Sequence, residues 1–177
     1  MIGKRTLAAL LFMMLTAHSA KALTSSDKLL LLIAAIEENK TCPALPFLKA
    51  LGSNADSIIV RMINEKSIPA WKRVTAVSCL RHYSSKKSKQ ILSSMISDPS
   101  WDDAFRHQAM DTIVDLIGEE AFYMLKKYAV GPNKTERLAA IKAMAKIRTE
   151  RTGSFFRYLQ TRESDPEILS IINQGLR

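Results

Sequence analysis

Few side chains in this sequence have both the type and the spacing that chemistry needs. His82 and His107 stand 25 residues apart, and Cys42 and Cys79 stand 37 apart. Structural zinc sites take their ligands in close pairs such as C-x₂₋₄-C, so these four residues predict no metal centre. Nucleophilic catalysis has no more support: there is no Gly-x-Ser-x-Gly, no His-Glu-x-x-His and no glycine-rich phosphate loop. The stretch RTGSFF has a single glycine and leads into an aromatic pair. The chain is therefore expected to be neither an enzyme nor the holder of a cofactor.

The remaining chemistry is that of binding. Arg81, Lys86, Lys87 and Lys89 form the densest basic cluster, suited to phosphates or to an acidic partner. Trp71 and Trp101 each follow a proline by two residues, and such aromatic side chains anchor protein interfaces when they share a rim. Asn39 and Asn133 each open an Asn-x-Thr triplet that a eukaryotic secretory route can glycosylate; Asn133 with Glu136 also reads as a helix capping box.

The elements that position these residues begin after residue 22. Lys4 and Arg5 precede an apolar run over residues 6–17, and Ala20-Lys21-Ala22 has the small-x-small form of a signal-peptidase site. A 12-residue run is short for a bilayer span, so residues 1–22 read as a signal peptide. Without them 155 residues remain, and the formal charge falls from +9 to +6 because Lys4, Arg5 and Lys21 leave as well. Localisation is thus expected to be periplasmic or secreted, in a compartment where disulfides persist.

From residue 23 onward every readable period is helical. Residues 26–39 are apolar nearly all round, which predicts a buried N-terminal helix capping the rest, with a boundary near residue 40. Pro43, Pro69, Pro99, Pro132 and Pro166 follow at intervals of 26, 30, 33 and 34, each placed to open an amphipathic run. Asp98-Pro99 and Asp165-Pro166 read as the same helix start used twice, with Asp as N-cap. Aligned after these prolines, Arg73/Ala76/Leu80 matches Arg106/Ala109/Ile113, then Arg137/Ala140/Met144, then Leu169/Ile172/Leu176. The steps are 33, 31 and 32. A second apolar track, through Ile58, Ile91, Met124 and Phe155, keeps the same period. Because the two Asp-Pro pairs are 67 apart while the aligned bodies are 63 apart, the helix after Pro99 is expected to carry an additional turn at its start.

Paired helices at such a period predict an all-α, right-handed α–α superhelix of four to five hairpins over residues 41–177. The pattern of Asp/Pro, Arg, a small residue three later and a Leu-type residue beyond resembles the short HEAT-type repeat. That resemblance implies a ladder of Asp and Arg side chains between stacked hairpins, with Arg73, Arg106 and Arg137 facing Asp102 and Asp165. The same register sets Cys79 opposite Ala50. It then places Cys42 eight residues away along a neighbouring helix, roughly 12 Å, where bridged Cα atoms lie within about 7 Å. Compartment favours a Cys42–Cys79 disulfide and register opposes it.

The function expected from these features is an exported, non-enzymatic scaffold. It would hold another protein on the surface of the first helices, with Trp71, Trp101 and residues 81–89 contributing. The alternative is an anionic polymer, envelope glycan or nucleic acid, held by residues 81–89. Against it, the equivalent turn of the next hairpin, Gly118-Glu119-Glu120, is acidic. The terminal helix near residues 167–176 has a polar side and is expected to act as a lid.

Overall fold

The computed structural model of the chain describes residues 23–177, so the expected signal peptide lies outside the described residues. Among the described residues there is no strand. Ten α-helices follow one another: α1 (Ser25–Asn39), α2 (Leu45–Ala50), α3 (Ala55–Asn64), α4 (Ala70–Cys79), α5 (Lys86–Ser97), α6 (Asp103–Ile117), α7 (Ala121–Ala129), α8 (Lys134–Met144), α9 (Glu150–Gln160) and α10 (Pro166–Gly175). None is long and apolar enough to cross a membrane. They divide into two compact units, the first ending at Cys79 and the second beginning at Leu80.

Local chemistry sets most helix starts. Thr24 and Asp27 form a reciprocal capping box at α1. Ser85 accepts from the Ser88 amide at α5, Thr149 from Thr152 at α9, and Asn133 from Thr135 and Glu136 at α8. At α10 Asp165 caps the amides of Glu167 and Ile168, and Pro166 sits in the first turn, as the sequence predicts. The earlier Ser-Asp-Pro triplet behaves differently. Asp98 closes α5 as its C-cap and accepts from the Ser100 amide, and α6 starts only at Asp103. There is consequently no additional turn at the start of α6. Arg73, Arg106, Arg137 and Leu169 are each the fourth residue of their helix, and the extra length of α6 lies toward its C-terminal end.

In the first unit, α1 and α4 both pack on α3 and on each other. Leu32, Ile36, Leu48, Ile59, Met62, Ile63 and Val77 are fully buried among them, each worth about 1.5–3 kcal/mol relative to exposure. Helix α1 is not buried all round: Leu29, Leu32, Ala35 and Ile36 face the core, while Leu30 is exposed. Two covering helices bury one stripe of a helix, however apolar the rest of it is.

Cys42 and Cys79 are bridged, with Cα atoms 5.4 Å apart. The register that opposed this bridge treats Cys42 as part of a helix. It is not. Helix α1 ends at Lys40 in a left-handed conformation (φ 58°), and α2 does not start until Leu45. The chain turns through residues 40–44, so a rise of 1.5 Å per residue does not apply there.

In the second unit, α8 packs on both α6 and α10, while α5 packs on α6, α7 on α8 and α9 on α10. The seventh residues of the aligned helices, Ala109, Ala140 and Ile172, are fully buried here, as Ala76 is in the first unit. Helix α10 contributes Ile168 and Ile172 to this core and leaves Ser170, Asn173 and Gln174 exposed.

Candidate functional site

The aligned arginines do repeated work. Arg73 Nη1 donates to the Ile63 carbonyl at 3.2 Å, and Arg106 Nη2 donates to the Ile96 carbonyl at 3.5 Å. In both cases the acceptor lies ten residues earlier, near the end of the preceding helix. Arg137 reaches back to the carbonyls of Gly131 and Pro132, at 3.2 and 2.9 Å. These contacts tie each first helix to the chain that delivers it.

Arg106 and Arg137 also reach forward. Arg106 pairs with Glu136 of α8, their side chains only 10% and 16% exposed, and Arg137 Nε donates to Glu163 Oε2 at 3.0 Å. The carboxylates that Arg106 and Arg137 reach beyond their own helices are therefore Glu136 and Glu163, not the Asp102 and Asp165 that the ladder pattern implies, and Arg106 also has Asp103 of its own first turn at 3.6 Å. Asp165 pairs with Lys134 instead, and Asp102 is an exposed N-cap whose side chain makes no capping bond. Glu136 is thereby diverted from the capping box: Asn133 accepts its amide, but its carboxylate faces Arg106. Burial alone would raise the Glu163 carboxyl. The amides of Asp165 and Ser164 and the Arg137 guanidinium outweigh it and hold the group below its ordinary value.

Held this way, α6 and α8 enclose a groove of about 470 Å³. His107, Gln108 and Asp111 of α6 face Thr135, Leu138 and Lys142 of α8, and Ala104 and Ala139 leave space between them. Lys146 bridges Asp111 at 2.6 Å and Asp115 at 3.0 Å, and Asp115 takes Arg81 at 2.8 Å. The charges at this end of the groove are thus satisfied internally. Gln108 is occupied by Thr112, while His107 Nε2 is buried without a hydrogen-bond partner. Apolar surface from Leu138, Ala104 and Ala139 beside a few polar groups is suited to receiving a side chain or a helix edge. No sequence signal pointed to it, since small residues on a helix face read as packing.

The predicted binding residues have mixed fates. Trp71 is exposed, with Lys40 Nζ 4.6 Å and Lys72 Nζ 5.5 Å from its ring centre, and Lys72 also pairs with Glu37. Trp101 is half-buried against Phe105 of its own helix start, their rings 5.3 Å apart. Arg81 lies in a 3₁₀ turn and is taken by Asp115, whereas Lys86, Lys87 and Lys89 form the first turn of α5 and are exposed. The basic cluster is thus split between a structural ion pair and a helix N-terminus. His82, beside Arg81, has its pKa lowered first by burial and then by the Arg81 charge. Among the described residues no three His, Cys, Asp or Glu side chains converge on a point that could hold a metal ion. No family model, no curated protein and no solved structure matches this chain.

Proposed function

We propose that this chain is an exported scaffold without catalytic activity: a right-handed superhelix of HEAT-like hairpins, capped by α1 and closed by α10, that holds another protein along its first helices. The observation that carries the reading is the common register. The fourth residue of α4, α6 and α8 is Arg, the seventh is a fully buried small residue, and in the second unit α6, α8 and α10 follow one another in direct contact. Such stacking sets α6, α8 and α10 side by side, and the α6–α8 groove lies between the first two of them. Export rests on the signal pattern of residues 1–22, and the Cys42–Cys79 bridge suits an oxidising compartment.

The test is retention of partners from the exported fraction by immobilised wild type and by Ala139→Glu, which puts a carboxylate into the groove. A species retained by wild type and by Lys89→Gln, but lost with Ala139→Glu at unchanged melting temperature, supports the reading; equal retention by all three refutes it. The second reading, an anionic polymer on Lys86, Lys87 and Lys89, keeps three exposed ammonium groups but loses Arg81 to Asp115. Retention that depends on Lys89 and vanishes in moderate salt would favour it.

A further inference from the structure

Charge in the second unit is sorted by helix. Helices α5, α7 and α9 carry seven Lys and Arg against one carboxylate, Glu150, whereas α6, α8 and α10 carry four against five. The basic helices are joined to one another. The Tyr128 hydroxyl of α7 donates to the Ile96 carbonyl of α5 at 2.7 Å, and Phe122 of α7 meets Phe155 of α9 edge-on at 5.5 Å. Their outward side is not simply hydrophilic. Tyr123, Lys126 and Lys127 follow one another at i, i+3 and i+4 along one face of α7, and Val130 is its C-cap, with Tyr123 67% and Val130 52% exposed. On α9, Tyr158 is 46% exposed and stacks on Phe155.

We propose that this face docks the protein on an anionic lipid surface. It shares no residue with the α6–α8 groove and stands independently of the scaffold reading. Every feature of the face has a use at a membrane interface. Lys126 and Lys127 reach headgroup phosphates with the apolar parts of their side chains laid along the protein. Tyr123, Tyr158 and Val130 enter the boundary between headgroups and acyl chains. A nucleic acid or acidic glycan would use the cations alone. Val130 offers such a polymer nothing. Arg151 lies 5.2 Å from Tyr123 and Arg162 4.8 Å from Tyr158, so each ring carries a cation that meets headgroup phosphate as the tyrosine enters the boundary. The exposed carboxylates of Glu119 and Glu120 precede α7, and Glu119 partly neutralises Arg151 at 2.8 Å, so the cations remaining nearest Tyr123 and Val130 are Lys126 and Lys127.

The test is cosedimentation of the protein, purified from an exporting host with its mature mass verified, with vesicles of phosphatidylcholine alone or mixed with phosphatidylglycerol. Wild type is expected to prefer the anionic vesicles and to be released by salt. Lys126→Gln/Lys127→Gln should bind about 30-fold more weakly at low salt, on the basis of roughly one headgroup-strength contact per lysine. Tyr123→Ser/Tyr158→Ser should also weaken binding while leaving the salt dependence in place. Both pairs are exposed, so unchanged melting temperatures are expected and serve as the folding control. Equal binding to both vesicle types, or variants that bind like wild type, overturns the proposal. So does a single-stranded oligonucleotide or acidic polysaccharide that binds in a lysine-dependent, tyrosine-independent way while the vesicles do not.

Discussion

Breaking the Cys42–Cys79 bridge should cost the first unit a large part of its stability. The two cysteines are 37 residues apart, and closing a loop of that length in the unfolded chain corresponds to about 4 kcal/mol at 25 °C. Two perturbations remove the bridge differently. Reduction leaves both sulfur atoms in place, and Cys42→Ala deletes the half-buried sulfur while leaving the fully buried Cys79 to pack as before. Urea titration of oxidised wild type, reduced wild type and Cys42→Ala should place the second and third about 4 kcal/mol below the first and within about 1 kcal/mol of each other. The loss should begin locally. Helix α2 has six residues and no side-chain cap, too short to persist unaided, so its amides should be the first in the unit to lose protection against hydrogen exchange. An unchanged urea midpoint on reduction would refute this reasoning, as would alkylation of both thiols in the native, unreduced protein.

Three further outcomes follow from the second unit. Arg106→Met should destabilise by about 3 kcal/mol, because it leaves Glu136 without its buried partner, and Arg106→Met/Glu136→Met should recover most of that loss in thermal melts. Gly175→Ala adds a Cβ that would lie 2.5 Å from Phe156 Cε2; overpacking of about 1–3 kcal/mol exceeds the roughly 1 kcal/mol gained from helix propensity, so the melting temperature should fall. The folded-state pKa of Glu163 lies below its ordinary 4.5, so its stabilising contribution is complete above that pH and is lost as pH falls through the folded value. Arg137→Met should therefore flatten the acid limb of a stability–pH curve, measured by urea titration across that range.

How far the sequence carries depends on which interactions are local. Helix boundaries at Asn133 and Asp165 were legible because a side chain that accepts amides within three residues leaves a local signature. The triplet at Ser97 has the same letters, but its aspartate turns the chain out of α5 and the helix waits for Asp103. The disulfide stayed open between compartment and register because the register argument extends helical rise through residues 40–44, where Lys40 adopts a left-handed turn. The arginines recur at the fourth position of α4, α6 and α8, but their carboxylates were sought at Asp102 and Asp165, whereas contacts at 30 and 26 residues' separation bring Glu136 to Arg106 and Glu163 to Arg137. The sorting of charge by helix was hidden by comparing turns, residues 81–89 with residues 118–120, instead of outward faces.

The central claim is that the α6–α8 groove holds another protein. It is tested most directly by placing a photoreactive amino acid at Ala139 in the groove, with exposed Thr161 as the control site, and irradiating the protein in its native compartment. The account predicts one adduct of discrete mass at Ala139, absent at Thr161 and abolished by Leu138→Glu in a protein that still melts cooperatively. Adducts that are identical at the two positions, or no adduct at Ala139, would contradict it.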